Sequence, residues 1–228
     1  MTHRRDTDVD TDVDTDSENA PDTGPAPHAK VSRQDWLDAA RKVLIEDGVS
    51  EVKILTLGRR LGVSRSSFYW YFISRQDLLD ALLADWESAT TAQLVAHCDL
   101  PAAAITQAVA QFFRCFINPL LFQQKLDFAI REWSRRDATV HAKMAANDAI
   151  RQAAIQSMFE RHGYPADEAD IRARILYYQQ IGYYALDIDE PLADRQGRVA
   201  GYLYGFTGRH PSQAEVDEAV TYAEKHAK

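Results

Sequence analysis

The chain has 228 residues, with 26 Lys and Arg against 34 Asp and Glu, so its net charge is −8. This length allows two modest domains, or one domain with a tail. It contains two cysteines, Cys98 and Cys115, and no segment approaches the ~18 uncharged apolar residues that a membrane span needs. We therefore expect a cytoplasmic protein with buried thiols, and we exclude a disulfide scaffold or a membrane protein.

Residues 1–30 differ in composition from the rest of the chain. They contain a TDVD-type repeat over residues 7–16 and prolines at 21, 25 and 27, they lack aromatic residues, and their eight acidic residues outnumber three basic ones. Such a segment cannot bury enough apolar surface to offset its chain entropy, so we predict a disordered acidic tail.

The first helix is predicted to open at Ser32, with Asp35 as its capping-box partner, and to end at Gly48. Its apolar residues recur at helical spacing and predict a buried stripe. These residues are Trp36, Ala39, Ala40, Val43 and Leu44.

Two short helices joined by a glycine turn are predicted next, over about 54–61 and 65–71. Gly58 supplies a position almost free of side chain where the two helices cross. Gly62 tolerates the positive φ with which the chain leaves the first of them. Ser64 is predicted to cap the second helix with its hydroxyl. This spacing is typical of a helix-turn-helix, whose second helix enters the DNA major groove.

The charge of the same region supports that interpretation. No Asp or Glu occurs over residues 53–75, and a basic patch is the footprint of phosphate neutralisation. The basic residues of this window are Lys53, Arg59, Arg60, Arg65 and Arg75. The alternative is an ordinary pair of helices with a solvated basic face.

A fourth helix is predicted from Ser74, its cap, with Asp77 as the box partner and a strong apolar face that includes Trp86. From Pro101 onward the sequence again predicts helices, and no alternating Thr/Val-rich runs indicate strands. The predicted segments are 101–117, 119–134, 137–162, 166–187, 192–204 and 212–226. The predicted fold class is therefore all-α.

Over about residues 31–85 the sequence resembles the TetR family of bacterial transcription regulators. The motifs that carry the resemblance are Leu57-Gly58, Leu61-Gly62-Val63-Ser64, Tyr69-Trp70-Tyr71-Phe72 and Ser74-Arg75-Gln76-Asp77-Leu78. Three positions depart from the family pattern: Lys53 stands where a capping Thr is frequent, Ser66 where Gly is frequent, and Arg75 where Lys is frequent. The first departure weakens the expected cap of the second helix, whereas the other two keep small size and positive charge.

The resemblance implies a helix-turn-helix domain over residues 31–75 and an effector-binding and dimerisation domain over 76–228, with a linking helix at 76–97. It implies a homodimeric regulator, a repressor released from a palindromic operator by a small-molecule effector. Two alternatives stay open: a DNA-binding regulator or architectural protein without an effector, and a helical enzyme or cofactor carrier with an incidental basic hairpin. No catalytic constellation, phosphate loop or metal motif is present, so we predict no enzyme, no cofactor and no metal site.

The expected DNA contacts lie between Lys53 and Arg75, a stretch in which Phe68 and Phe72 are instead assigned to the core. Arg65 is the first candidate for reading bases, because a guanidinium pairs bidentately with guanine, and Ser66 and Trp70 are weaker base-edge candidates. At most one of Arg59 and Arg60 is expected to face the duplex. Phosphate contacts, which position the protein without specifying sequence, are assigned to Lys53, Ser67, Tyr69, Tyr71 and Arg75.

Two aromatic groups in the later helices are interpreted through the family. An apolar effector pocket is expected there, although core packing explains each residue equally well. Its candidate residues are Phe112, Phe113, Phe116, Phe128, Trp133 and Tyr178. The tyrosines of residues 170–206 predict the dimer surface, because Tyr suits a patch that is apolar yet edged by water.

Two further segments have competing interpretations. Asp127, Arg131 and Glu132 are interpreted as an ordinary solvated helix face, with contact to a polar effector as the alternative. The acidic tail is interpreted as a tolerated extension. The alternatives are that it shields the basic surface, or that Arg4 and Arg5 reach the minor groove.

Overall fold

The computed structural model describes residues 31–226, which fold into α-helices without a β-strand in that range. The helices are α1 (Arg33–Asp47), α2 (Ile54–Leu61), α3 (Arg65–Phe68), α4 (Arg75–Trp86), α5 (Ala92–Cys98), α6 (Ile105–Ile117), α7 (Gln124–Ser134), α8 (Ala138–Arg161), α9 (Ala166–Ala185), α10 (Leu192–Gly197), α11 (Val199–Thr207) and α12 (Gln213–His226). The all-α prediction is confirmed. The predicted disorder of residues 1–30 concerns a segment outside the described residues.

The predicted caps Ser32 and Ser74 are confirmed and so is the box partner Asp35, whereas the predicted box at α4 does not form, because Asp77 bonds the residue before the cap. At the start of α1, the hydroxyl of Ser32 accepts from the backbone N–H of Asp35, whose carboxylate accepts from the backbone N–H of Ser32. At the start of α4, the hydroxyl of Ser74 accepts from the N–H of Asp77, whose carboxylate accepts from the N–H of Ile73. Both caps hold helix ends that would otherwise leave backbone donors unsatisfied.

Besides shifts of up to five residues at several helix ends, the helices differ from the prediction in three places. The third helix ends at Phe68, and the chain continues through a turn at residues 69–71. The predicted segment 192–204 is divided at Arg198 into α10 and α11. A π-helical turn, Glu87–Thr91, lies between α4 and α5. Neither proline nor glycine marks the end of α3 or the π-helical turn, so the local sequence did not reveal them, whereas Gly197 directly precedes the break at Arg198.

The hydrophobic interior consists of two clusters of buried side chains. The first joins α1–α4 to α7 and to the N-terminal half of α8. Its last member on α7 is Trp133, and its last member on α8 is Met144. The second lies among α5, α6, α9, α11 and the C-terminal half of α8, beginning at Ile155. The first cluster therefore crosses the predicted domain boundary at residue 75, and the division at that residue stays a prediction.

No helix within residues 31–226 combines the length and the apolar character needed to cross a bilayer.

Both cysteines are buried free thiols, one in each of α5 and α6. Burial raises the pKa of the Cys115 thiol to about 12 and also raises that of Cys98. Because the thiolate is the reactive form, we expect neither cysteine to react with Ellman's reagent in the native protein at pH 8. Both should react after unfolding in urea. Rapid release of one equivalent of thionitrobenzoate per native chain would contradict the buried placement.

Candidate nucleic-acid interface

The turn between α2 and α3 is shaped by its two glycines. Gly62 has φ +67° and ends α2 in the left-handed conformation. A Cβ at Gly58 would lie 3.1 Å from the backbone oxygen of Val63 and 3.9 Å from the ring of Trp36. The prediction that Gly58 must be nearly free of side chain is confirmed, and the closest obstruction is the carbonyl of the turn itself.

Aromatic side chains anchor α3 from beneath. Phe68 is fully buried, with its ring edge-on to Trp36 at 5.2 Å and stacked on Phe72 at 5.4 Å. The assignment of Phe68 and Phe72 to the core is confirmed. A helix of one turn has little stability of its own, so this packing holds α3 in place.

The exposed side chains of this region lie on the outer face of α3 and on the turn that follows it. Arg65 is exposed, and its Nη2 donates to the Tyr69 hydroxyl at 3.0 Å. Ser66 is exposed beside it, and the Trp70 side chain is 82% exposed. A cation, a hydroxyl, a phenol and an indole thus lie together on one surface, at the point where a helix-turn-helix meets the major groove.

The predicted hydroxyl cap of α3 is wrong. Ser64 occupies the N-cap position, but its hydroxyl is hydrogen-bonded to that of Ser66 at 2.8 Å and does not cap the helix. The backbone carbonyl of Ser64 instead accepts from the N–H and from the hydroxyl of Ser67, at 3.1 and 3.0 Å. Because α3 is a single turn, these i to i+3 bonds satisfy the backbone N–H of Ser67 at the start of the helix without the Ser64 side chain. Ser67 is half-buried and already bonded.

Tyr71 and Arg75 are engaged within the protein. The Tyr71 hydroxyl donates to the backbone oxygen of Val31 at 2.7 Å. The Arg75 guanidinium donates to the backbone oxygens of Val52 and Val49 at 2.6 and 2.5 Å, so it fastens the start of α4 to the segment that precedes α2. Any phosphate contact by Arg75 would have to break or share these bonds.

The remaining basic residues of window 53–75 differ in whether they form an ion pair within the protein. Lys53 lies 3.0 Å from the Glu51 carboxylate. Arg60 pairs with Glu46 and Asp47 on α1, and the hydrogen bond that it donates to Glu46 raises the pKa of Arg60. Arg59 is exposed. Of the two adjacent arginines, Arg59 is therefore the better placed to face DNA.

Two exposed apolar side chains of this region are not among the predicted DNA contacts. Ile73, between α3 and α4, is 87% exposed, and Leu55 on α2 is also exposed. An apolar side chain can contact the thymine methyl group in the major groove. The sequence feature that indicates this site is the isoleucine in the short link between Phe72 and the Ser74 cap, because packing of the core does not require an apolar side chain there.

The six candidate pocket residues are not brought together. Phe112 and Phe116 are buried, with ring centroids 5.0 Å apart, and Phe113 packs on Phe112 at 5.3 Å. Trp133 belongs to the first hydrophobic cluster, Phe128 is half-buried, and Tyr178 is exposed. Two open grooves of about 620 and 550 Å³ lie elsewhere on the surface, and none of the six residues lines them.

The interpretation of Asp127 and Arg131 as a solvated face is wrong. Asp127 is 2% exposed and accepts hydrogen bonds from Trp86 and Arg131, whereas Glu132 is exposed as predicted. Apart from each other, the partners of these two residues lie 40 or more positions away or on α8, so the local sequence does not reveal their burial.

Comparison with known proteins agrees with this geometry. The family model described as bacterial regulatory proteins, tetR family, matches residues 37–82. The HTH-type transcriptional regulator SrpR of Pseudomonas putida is 24% identical over 192 residues, which cover 84% of this chain and 82% of SrpR. The DNA-binding region of the chain therefore belongs to the TetR family.

Other members resemble the chain over shorter or more divergent stretches. The class D tetracycline repressor protein of Escherichia coli is 32% identical over 57 residues, which cover 25% of this chain and 26% of that protein. The crystal structure of Mycobacterium smegmatis AmtR covers 87% of this chain and 96% of its own, with a TM-score of 0.59 and 18% identity, and shows the shared fold. With a DNA-binding region of this family, the chain is a DNA-binding transcriptional regulator.

Proposed function

We propose that this TetR-family protein is a homodimeric repressor that binds a palindromic operator and is released by a small-molecule effector. The observation that carries the proposal is the surface of α3 and of the turn after it, where Arg65, Ser66 and Trp70 are exposed while Phe68 is buried against Trp36. Arg65 reads a guanine, Trp70 and Ile73 contact apolar base edges, and Arg59 lies toward the phosphates. Lys53 and Tyr69 complete the phosphate contacts at the edges of this face.

A second copy of the chain is needed on physical grounds. One recognition helix reads few base pairs, whereas two-fold symmetry doubles the site and separates its halves by about one DNA turn, ~34 Å. The outer side of α9 supports such a dimer: Ile171, Ile175 and Tyr178 recur at helical spacing and are all about half exposed. Ile150 on the neighbouring α8 is exposed as well. We call these four residues the α8/α9 apolar face.

The same proposal extends to α11, the later part of the predicted dimer segment 170–206. Tyr202 and Tyr204 are exposed there. A Cβ at Gly201 or Gly205 would meet no atom within 4 Å, so this part of α11 leaves room for the close approach of another backbone. Tyr side chains beside such a surface suit an interface that is apolar but edged by water.

Repression and effector release rest on relatives. Two proteins that are 32% identical to the chain over 57 residues carry the name tetracycline repressor protein. The second candidate function, a regulator without a small-molecule effector, is favoured by one observation: Phe112 and Phe116 pack on each other instead of lining a cavity. The two candidates differ in whether a compound shifts the melting temperature of the protein and releases it from DNA.

The test begins with DNA duplexes of random sequence. Selection by the full-length protein should return a two-fold symmetric sequence. A gel-shift assay on that duplex, and on the promoter region of the protein's own gene, is then repeated with a compound library. Release by one compound, together with a rise in melting temperature, supports the repressor model. Tight, symmetric DNA binding that no compound alters would favour the second candidate.

Arg65→Ala should weaken binding to the selected duplex by about 1–3 kcal/mol and relax the preference at one base pair. Arg60→Ala is the matched control. Its side chain points to Glu46 and Asp47, so we expect little change in DNA affinity. Fluorescence anisotropy on duplexes substituted at each position measures both effects. An equal loss on every sequence would mean that Arg65 touches the DNA backbone and not a base.

A further inference from the structure

A buried cluster of polar side chains lies where α4 ends. Its centre is Arg151 on α8, which is completely buried. Nη1 of Arg151 lies 3.0 Å from the carboxylate of Asp127 on α7. Nε and Nη2 donate to the hydroxyls of Thr91 and Thr90, each at 2.9 Å. All three nitrogens of the guanidinium are thus occupied, each in a direction set by the planar group.

The cluster continues through α7, α8 and α9. Arg131 donates two parallel hydrogen bonds to Asp148, at 2.7 and 2.8 Å, and a third to Asp127 at 3.0 Å. The Tyr177 hydroxyl on α9 donates to Asp148 at 2.6 Å. Burial disfavours the ionised form of Asp148, but the hydrogen bond and charge of Arg131 outweigh it and lower the pKa of that carboxyl. Two arginines therefore balance two carboxylates.

The cluster also holds the last residue of α4. Nε1 of Trp86 donates to Asp127 at 2.9 Å, and the Arg151 guanidinium lies 5.4 Å from the centroid of the Trp86 ring. Trp86 is itself fully buried in the first hydrophobic cluster, together with the helices of the DNA-binding region. One side chain is thereby shared between that region and the polar cluster.

Immediately after Trp86 the chain forms the π-helical turn Glu87–Thr91. Turns of this kind are rare and occur frequently at functional sites. Here the hydroxyls of Thr90 and Thr91 are the groups that meet Arg151, and Thr91 donates to Asn147 on α8 at 2.7 Å. Asn147 in turn donates to Glu87 at 2.7 Å. The turn is therefore held at both of its ends by α8.

The cluster lies at the junction of the two hydrophobic clusters. Along α8, the first cluster ends at Met144 and the second begins at Ile155, and Arg151 falls between them. Apolar packing is not directional, whereas a fully satisfied polar network specifies one arrangement. The polar cluster therefore specifies the position of the helices of the first hydrophobic cluster relative to those of the second more narrowly than apolar packing does.

We propose that Arg151 is a positioning residue for DNA binding: through Asp127 and the π-helical turn, it sets the place of α4 relative to α8 and α9. The inference rests on the proposed homodimer. Arg151 follows Ile150 of the α8/α9 apolar face, and Tyr177 precedes Tyr178 of the same face. Both α8 and α9 therefore carry the proposed dimer contact on one side and the polar cluster on another. Because the cluster places α4 relative to these helices, it determines the distance between the two α3 helices of the dimer.

The charges of the cluster allow stability to be separated from positioning. Arg151→Met removes one cation and leaves two buried carboxylates facing Arg131, so we expect a lower melting temperature. The double variant Asp127→Leu/Arg151→Met restores neutrality, with Arg131 still paired to Asp148. Because an apolar pair of similar volume often replaces a buried ion pair without loss, we expect its melting temperature to recover.

The experiment measures affinity by fluorescence anisotropy on four duplexes: the duplex selected by the wild type, the same duplex with one central base pair added or removed, and a random duplex. For the double variant we expect about a tenfold or greater loss on the selected duplex, a weaker preference among the three spacings, and unchanged binding to the random duplex. Arg161→Met, which removes the partner of Asp99 at the far end of α8, is the control and should behave as the wild type.

A double variant that regains its melting temperature together with wild-type affinity and spacing preference would show that the cluster is only structural, and would overturn the proposal. If the double variant does not fold, Thr90→Val supplies the same test, because it keeps the side-chain shape and removes one hydroxyl from the turn. A wild type that is monomeric by gel filtration, or selects no symmetric sequence, would overturn the proposed function and this inference with it.

Discussion

Replacing Ile171 and Ile175 by glutamate is expected to convert the dimer to a monomer and to weaken operator binding by roughly a thousandfold or more, to the level of non-specific DNA. Both side chains are about half exposed on α9. In a two-fold dimer each residue meets a copy of the same surface, so the four introduced carboxylates would be close together and partly desolvated. Gel filtration with light scattering measures the assembly, and anisotropy measures the affinity.

The control for this experiment is Leu120→Glu. Leu120 is 88% exposed in the link between α6 and α7 and lies outside the α8/α9 apolar face. We expect this variant to remain dimeric with unchanged DNA affinity. A double variant of Ile171 and Ile175 that stays dimeric would place the interface elsewhere, with the exposed tyrosines of α11 as the next surface to substitute.

The largest effect on stability is expected for Phe68→Ala, at about 3–5 kcal/mol. Phe68 is fully buried between Trp36 and Phe72, and its removal leaves a cavity beneath a one-turn helix that cannot support itself. For a chain of this size the melting temperature should fall by roughly 10 °C. Urea unfolding followed by circular dichroism measures the change in the free energy of unfolding.

Trp70→Ala is the matched control for Phe68→Ala. The two aromatic residues are two positions apart, but Trp70 is exposed. Its removal should leave the melting temperature within about 1–2 °C of the wild type, while affinity for the selected duplex falls. Equal destabilisation by both substitutions would contradict the division of this segment into an inner anchor and an outer DNA-facing side.

The helix-turn-helix could be predicted because its determinants are local. The φ of +67° at Gly62 and the crowding at Gly58 arise within a dozen residues. The capping box of α1 depends on Ser32 and Asp35, which lie three positions apart. Backbone sterics and short-range hydrogen bonds act on such spacings irrespective of the remaining fold, so the residue types alone were sufficient.

The partners of the charged side chains at the same surface depend on distant groups instead. The charge of Arg75 predicts a phosphate contact, yet its guanidinium donates to the carbonyls of Val49 and Val52. These acceptors lie more than twenty positions away along the chain, and they come within reach only when α4 packs beside the start of α2. A charged residue in a basic window therefore does not reveal, from sequence, whether it faces solvent or the protein.

What the sequence by itself determined was the class of the protein: helices, a glycine-turned DNA-binding motif, and an aromatic anchor under α3. Only the tertiary structure decided which charges are outward and which are buried. Asp127 and Arg131 resemble an exposed face until α4, α7, α8 and α9 bring Trp86, Arg151 and Asp148 around them. The physical reason is that desolvation and pairing of a charge depend on groups distant in sequence, whereas turns and caps depend on neighbours.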